Sequence, residues 1–191
     1  MTDSRNSDGH LGQRLVFEDS LPLAYKVVEA LPQGNEYLSL QMSNEETLHA
    51  IMMVEDAPKE NPDDSSAEAQ DILRFEYKIN IMFDLLVGLY QREFEFPPCA
   101  DVVLRSDALQ WQTTDSILLG SCVMVDLHIS RKYPKPIILP GTITSEGDNG
   151  LLTMTFDDSV GERTRDWIDK FIFRYHRRAV AIARRQLTDT S

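Results

Sequence analysis

Between residues 72 and 89, large apolar side chains return every three or four positions, at Ile72, Phe75, Ile79, Met82, Leu86 and Leu89. They occupy the first and fourth places of a heptad in turn, without a break. A strict seven-residue repeat holds one seam of a helix against a partner helix. Leu73, Phe83, Leu85 and Tyr90 flank the seam, so the apolar surface is wider than a helix pair needs and calls for cover on more than one side. Two arrangements supply that cover: a core helix inside one domain, or a helix that associates with copies of itself. One heptad place carries Ile, Ile and Leu, and the other Phe, Met and Leu. That mixture departs from the β-branched/leucine pairing of parallel two-stranded coils and suits a four-helix core.

The remaining sequence narrows the setting of this helix. A chain of 191 residues fits one domain, or one domain with an extension, and buries a core without disulfides or metals. The formal charge of -12 argues against nucleic acid or an anionic membrane as the main partner. The charge is uneven: residues 1–70 hold 14 acids and 4 bases, whereas residues 159–191 hold 4 acids and 8 bases. Ends of opposite sign can pair within or between subunits, although each surface pair contributes little. Cys99 and Cys122 show no metal-ligand or redox spacing and read as buried free thiols in a reducing compartment. The first 14 residues lack the apolar stretch of a secretory signal, and no run approaches the roughly 20 apolar residues that span a bilayer. A soluble, cytoplasmic protein without membrane insertion is expected.

Along the chain, residues 1–14 read as a disordered tail rich in Ser, Asp, Asn and Gly. Residues 21–29 and 36–41 alternate loosely and read as strands around the turn Pro32-Gln33-Gly34-Asn35. Ser43 and Glu46 have capping-box spacing and open a short helix through about residue 55, with Leu48, Ile51 and Met52 inward. Residues 57–66 are acidic and proline-containing, as in a linker. The heptad helix occupies about 66–92 and stops before Phe96-Pro97-Pro98. Five β-rich runs follow, at 101–105, 109–113, 122–130, 137–144 and 151–156, and their even spacing predicts a small antiparallel barrel or sandwich. A last helix over about 160–186 turns Trp167, Ile168, Phe171, Ile172, Tyr175, Ala179 and Ile182 to one face. Arginines crowd its polar face and its end, where the helix dipole favours cations.

A barrel closed by a helix bearing Phe173-Arg174-Tyr175-His176-Arg177-Arg178 resembles the PilZ domain, over about residues 95–187. The preceding Lys78-Ile79-Asn80-Ile81 and Asp84-Leu85-Leu86 stretches, leading to Phe96-Pro97-Pro98, resemble the atypical, helix-extended PilZ proteins of Gram-negative bacteria, including a tetrameric type from xanthomonads. The resemblance implies an α+β fold, with a PilZ-like barrel between the long helix and a C-terminal helix. It divides the chain into a tail (1–14), an N-terminal extension of short strands, helix and acidic linker (15–64), an oligomerisation helix (65–94) and the barrel with its last helix (95–187).

The PilZ family binds cyclic di-GMP through an Arg-x-x-x-Arg loop before the barrel and an Asp/Asn-x-Ser-x-x-Gly stretch on the early strands. Guanidinium planes stack on guanine and fork onto phosphates, while the acid or amide reads the base edge. Here Arg92 stands alone near the barrel, with Gly88 four before it and Phe96 four after. Leu104, Ser106 and Leu109 take the Asp/Asn, Ser and Gly places, so Ser106 alone survives. Each lost charge-assisted hydrogen bond removes about 1.5–3 kcal/mol, against roughly 1.4 kcal/mol per tenfold in affinity. An Arg-x-x-x-Arg pair does occur at Arg174 and Arg178, on one face of the last helix.

No P-loop, GxGxxG, GxSxG or HExxH occurs, and His10, His49, His128 and His176 lack ligand spacing. The residues therefore point to a non-enzymatic protein without cofactors. By the resemblance it is a PilZ-type adaptor that self-associates, with a tetramer favoured, through Ile72, Phe75, Ile79, Met82, Leu86 and Leu89. It would act through contacts with regulatory or pilus-biogenesis proteins, in type IV pilus, motility or virulence regulation. The alternative is an atypical cyclic di-GMP receptor drawing on Arg92, Ser106, Arg174 and Arg178.

Overall fold

Short runs of β-branched and aliphatic residues with period-two burial make six strands. In β4 (Cys122–Leu127), Val123, Val125 and Leu127 point inward and the residues between them outward. β1 (Phe17–Val28), β2 (Cys99–Leu104), β3 (Ala108–Gln112), β4, β5 (Ile137–Glu146) and β6 (Leu151–Phe156) form a closed antiparallel barrel in the order β1-β2-β3-β6-β5-β4. With α1 (Asn35–Glu55), α2 (Ala67–Glu93) and α3 (Glu162–Thr188), this is the expected α+β, PilZ-like fold. The computed structural model describes residues 15–55, 67–93, 95–147 and 149–188. The tail over 1–14 and the acidic linker over 57–66 lie outside them.

The barrel starts earlier than the sequence reading places it. β1 is the barrel's first strand, so the span 95–187 omits one sixth of the wall and the span 15–64 is not merely an extension. Residues 17–22 pair with β2 and residues 23–28 pair with β4. A strand of 12 residues reaches both neighbours because closing a barrel staggers the strands. Phe17, Leu21 and Leu23 are buried, and this period-two signal is diluted by the exposed Asp19 between them.

Residues 36–41 are helical, not extended, and Ser43 lies inside α1 rather than capping it. Leu38, Leu40, Gln41 and Met42 are helix formers and none is β-branched, a signal stronger than their loose alternation. Leu48 and Ile51 face inward as expected, and Met52 is half-buried. Asn44 fixes the docking of α1 on the barrel: its side-chain amide donates to the Ile138 carbonyl (2.7 Å) and accepts from the Ile138 N–H (2.8 Å). α3 follows a 3-10 turn capped by Asp157, whose carboxylate accepts from Ser159 N–H at 2.8 Å. It packs through Ile168, Phe171 and Ile172, and Phe17 meets Phe171 and Tyr175 ring to ring. Trp111 sits in the barrel core, fully buried.

Candidate functional site

α2 leaves the barrel with its apolar seam uncovered. Ile72, Phe75, Ile79, Met82, Leu86 and Leu89 are 47–68 % exposed, and Leu73 and Leu85 beside them are exposed too. Among the described residues, α2 is therefore not a core helix. Its root is fixed by aromatic contacts: Tyr90 meets Phe96 at 6.2 Å, and Phe96 meets His128 edge-on at 5.0 Å. His128 is held in turn by a hydrogen bond between its Nδ1 and the Pro134 carbonyl (2.7 Å).

The four sequence candidates for ligand binding do not converge. Arg92 is exposed at the end of α2. Ser106 sits in the β2–β3 turn beside a hollow of about 350 Å³ that it shares with Leu15, Arg105, Asp169, Ile172 and Phe173. Arg174 and Arg178 meet elsewhere, with Met52, Glu55, Phe171 and Tyr175, around a space of about 20 Å³. That is far below the roughly 300–1,000 Å³ of a ligand pocket. Arg178 is engaged by Glu55, through the carboxylate at 3.3 Å and through the backbone carbonyl. Leu104 and Leu109, in the places of the base-reading acid and the glycine, are paired across β2 and β3 and fully buried in the barrel core. In the sequence just before β1, Arg14 has His10 and Glu18 four positions away. The arginine pair is absent there as well.

A further hollow was missed by the sequence reading. It is a groove of about 490 Å³ between the start of β1, residues 129–132 after β4, and α3. Phe17, Phe171 and Tyr175 supply its apolar lining, with the cations Arg131, Lys132 and Arg178 and the acids Asp19 and Glu55 also lining it. The Ser130 hydroxyl accepts from the Lys132 N–H (3.2 Å) and the Tyr133 N–H (3.3 Å). The cation doublet Arg131-Lys132 was the one signal available, but its partners come from distant segments.

At the far end of β1, the Tyr25 hydroxyl donates to Asp115 (2.5 Å) and lies 2.8 Å from the Thr113 hydroxyl. Burial, and then the bond to Asp115, push its ionisation above the ordinary value of 10.0. The cysteines are not buried as expected, Cys99 being exposed and Cys122 half-buried, and both are free. His49 lies edge-on to Trp167 at 5.5 Å, and His176 bonds the Val16 carbonyl.

A family model described as "Atypical PilZ domain, cyclic di-GMP receptor" matches residues 48–185. No curated protein matches the chain. Among solved structures, the chain is similar to a pathogenic protein from Xanthomonas campestris, a tetrameric PilZ domain self-assembled through a helical bundle. The two share 21 % identity over 89 % of this chain and 92 % of that one, with a TM-score of 0.69.

Proposed function

The chain belongs to the atypical PilZ domain family, and from that membership we propose that it is a regulator that assembles with copies of itself through α2 and acts through protein contacts. The observation that carries this reading is the uncovered seam, with six large apolar residues at heptad spacing on a helix that its own barrel leaves bare. Burying each half-exposed side chain is worth about 1 kcal/mol. Two copies then gain on the order of 10 kcal/mol, which only matches an association cost of about 4–15 kcal/mol. A four-helix core also covers the flanking Leu73 and Leu85 and moves the balance to the associated side. The tetrameric state of the similar Xanthomonas protein supports the same number. By family analogy, the contacts serve type IV pilus, motility or virulence regulation in the cytoplasm.

The reading excludes cyclic di-GMP binding by the family's usual motifs, because leucines at 104 and 109 point into the core. A second reading keeps the dinucleotide as ligand. It is favoured by the family's description and by Arg174 and Arg178 meeting at one place on α3. Titration calorimetry with cyclic di-GMP separates the two. The first predicts no saturable heat at low micromolar concentration, and saturable binding abolished by Arg174→Ala establishes the second.

A further inference from the structure

β1 changes partners midway and leaves part of one edge open. Its first half pairs with β2 on one side, and pairing with β4 begins only at Leu23. Backbone groups alternate sides along a strand, and three hydrogen bonds fix which residues face which way. The Leu23 N–H donates toward the β2 side, to the Pro98 carbonyl. The Pro22 carbonyl accepts from His128 N–H on the β4 side (3.1 Å), and the Val16 carbonyl is met by His176 of α3. Glu18 and Ser20 share that second side. Among the described residues, no partner strand reaches the Glu18 N–H and carbonyl or the Ser20 carbonyl there.

The edge opens into the 490 Å³ groove, because residues 129–132 diverge from β1 just after His128. An unpaired strand edge beside an apolar lining is the arrangement that accepts an added strand. Arg131 and Lys132 in that lining are exposed and make no salt bridge among the described residues. We propose that this groove docks an extended peptide segment of a partner protein, added as a short strand to the open edge of β1 and carrying an acidic side chain for Arg131 and Lys132. Asp19 and Glu55 in the same lining disfavour a phosphodiester dianion, so a peptide with one acid suits the groove better than a dinucleotide. The surface is separate from α2 and does not depend on assembly.

The test is fluorescence polarisation of the full chain with a labelled, end-blocked hexapeptide of valine and threonine carrying a single glutamate, alongside its counterpart with lysine in place of that glutamate. The glutamate peptide binds saturably. Binding is at least about tenfold weaker for the lysine peptide and for Arg131→Glu/Lys132→Glu, since reversal turns two attractions into repulsions. Hydrogen exchange slows at Glu18 when the glutamate peptide is bound, and Ile79→Asp, which targets assembly alone, binds it undiminished. Equal binding of both peptides, no saturable binding, unchanged binding in the double variant, or displacement of the peptide by cyclic di-GMP overturns the proposal.

Discussion

Asn44 shows how much a single side chain can hold. Buried on α1, it satisfies both backbone groups of Ile138, in the manner of a neighbouring strand. Asn44→Ala leaves a donor and an acceptor without partners, each worth about 1–3 kcal/mol. Urea denaturation should show a loss of about 3 kcal/mol, with α2-mediated assembly intact. Tyr25 makes a pH prediction. Its folded ionisation lies above the unfolded value of 10.0, so its contribution is fully present below pH 10 and is lost as pH rises through the folded value. The denaturation midpoint of the wild type should fall above pH 10 more steeply than that of Tyr25→Phe. At this scale the sequence was readable wherever a residue's role follows from its type. Leu104 and Leu109 could not replace an acid and a glycine on chemistry alone, and burial adds the reason. Asn44 and the groove residues were not readable, because their partners lie tens of positions away.

Among the elements, α2 was the most legible, since a heptad repeat is a local signal that tertiary contacts cannot disguise. The short strands after residue 99 were legible for the same reason, through their period-two burial. β1 and the start of α1 were not. β1 shares its length between two neighbours and carries an exposed aspartate inside its apolar series, while α1 opens on a stretch whose alternation mimics a strand. The seam makes a sharp prediction because α2 contributes nothing to the barrel core. Ile79→Asp or Leu86→Asp places an unpaired charge where the assembly would bury it. By size exclusion with light scattering, each variant should run as a monomer with wild-type circular dichroism. A variant that keeps the wild-type mass removes the seam from the interface.

For the molecule as a whole, the barrel supplies the scaffold and α2 adds an exposed apolar seam. α1 and α2 are inserted between β1 and β2, and the barrel and α2 are joined at one root through Tyr90, Phe96 and His128. His128 also precedes the residues 129–132 that line the β1 groove, which places assembly and groove at neighbouring points of one chain. The domain scheme read from the sequence kept these parts separate because strand pairing across the 70 residues from 29 to 98 leaves no local mark. The central claim is that copies of this chain cover one another's seams. Light scattering of the wild-type protein at tens of micromolar tests it most directly: the account predicts a mass four times that of the chain, and a monomer at that concentration contradicts it.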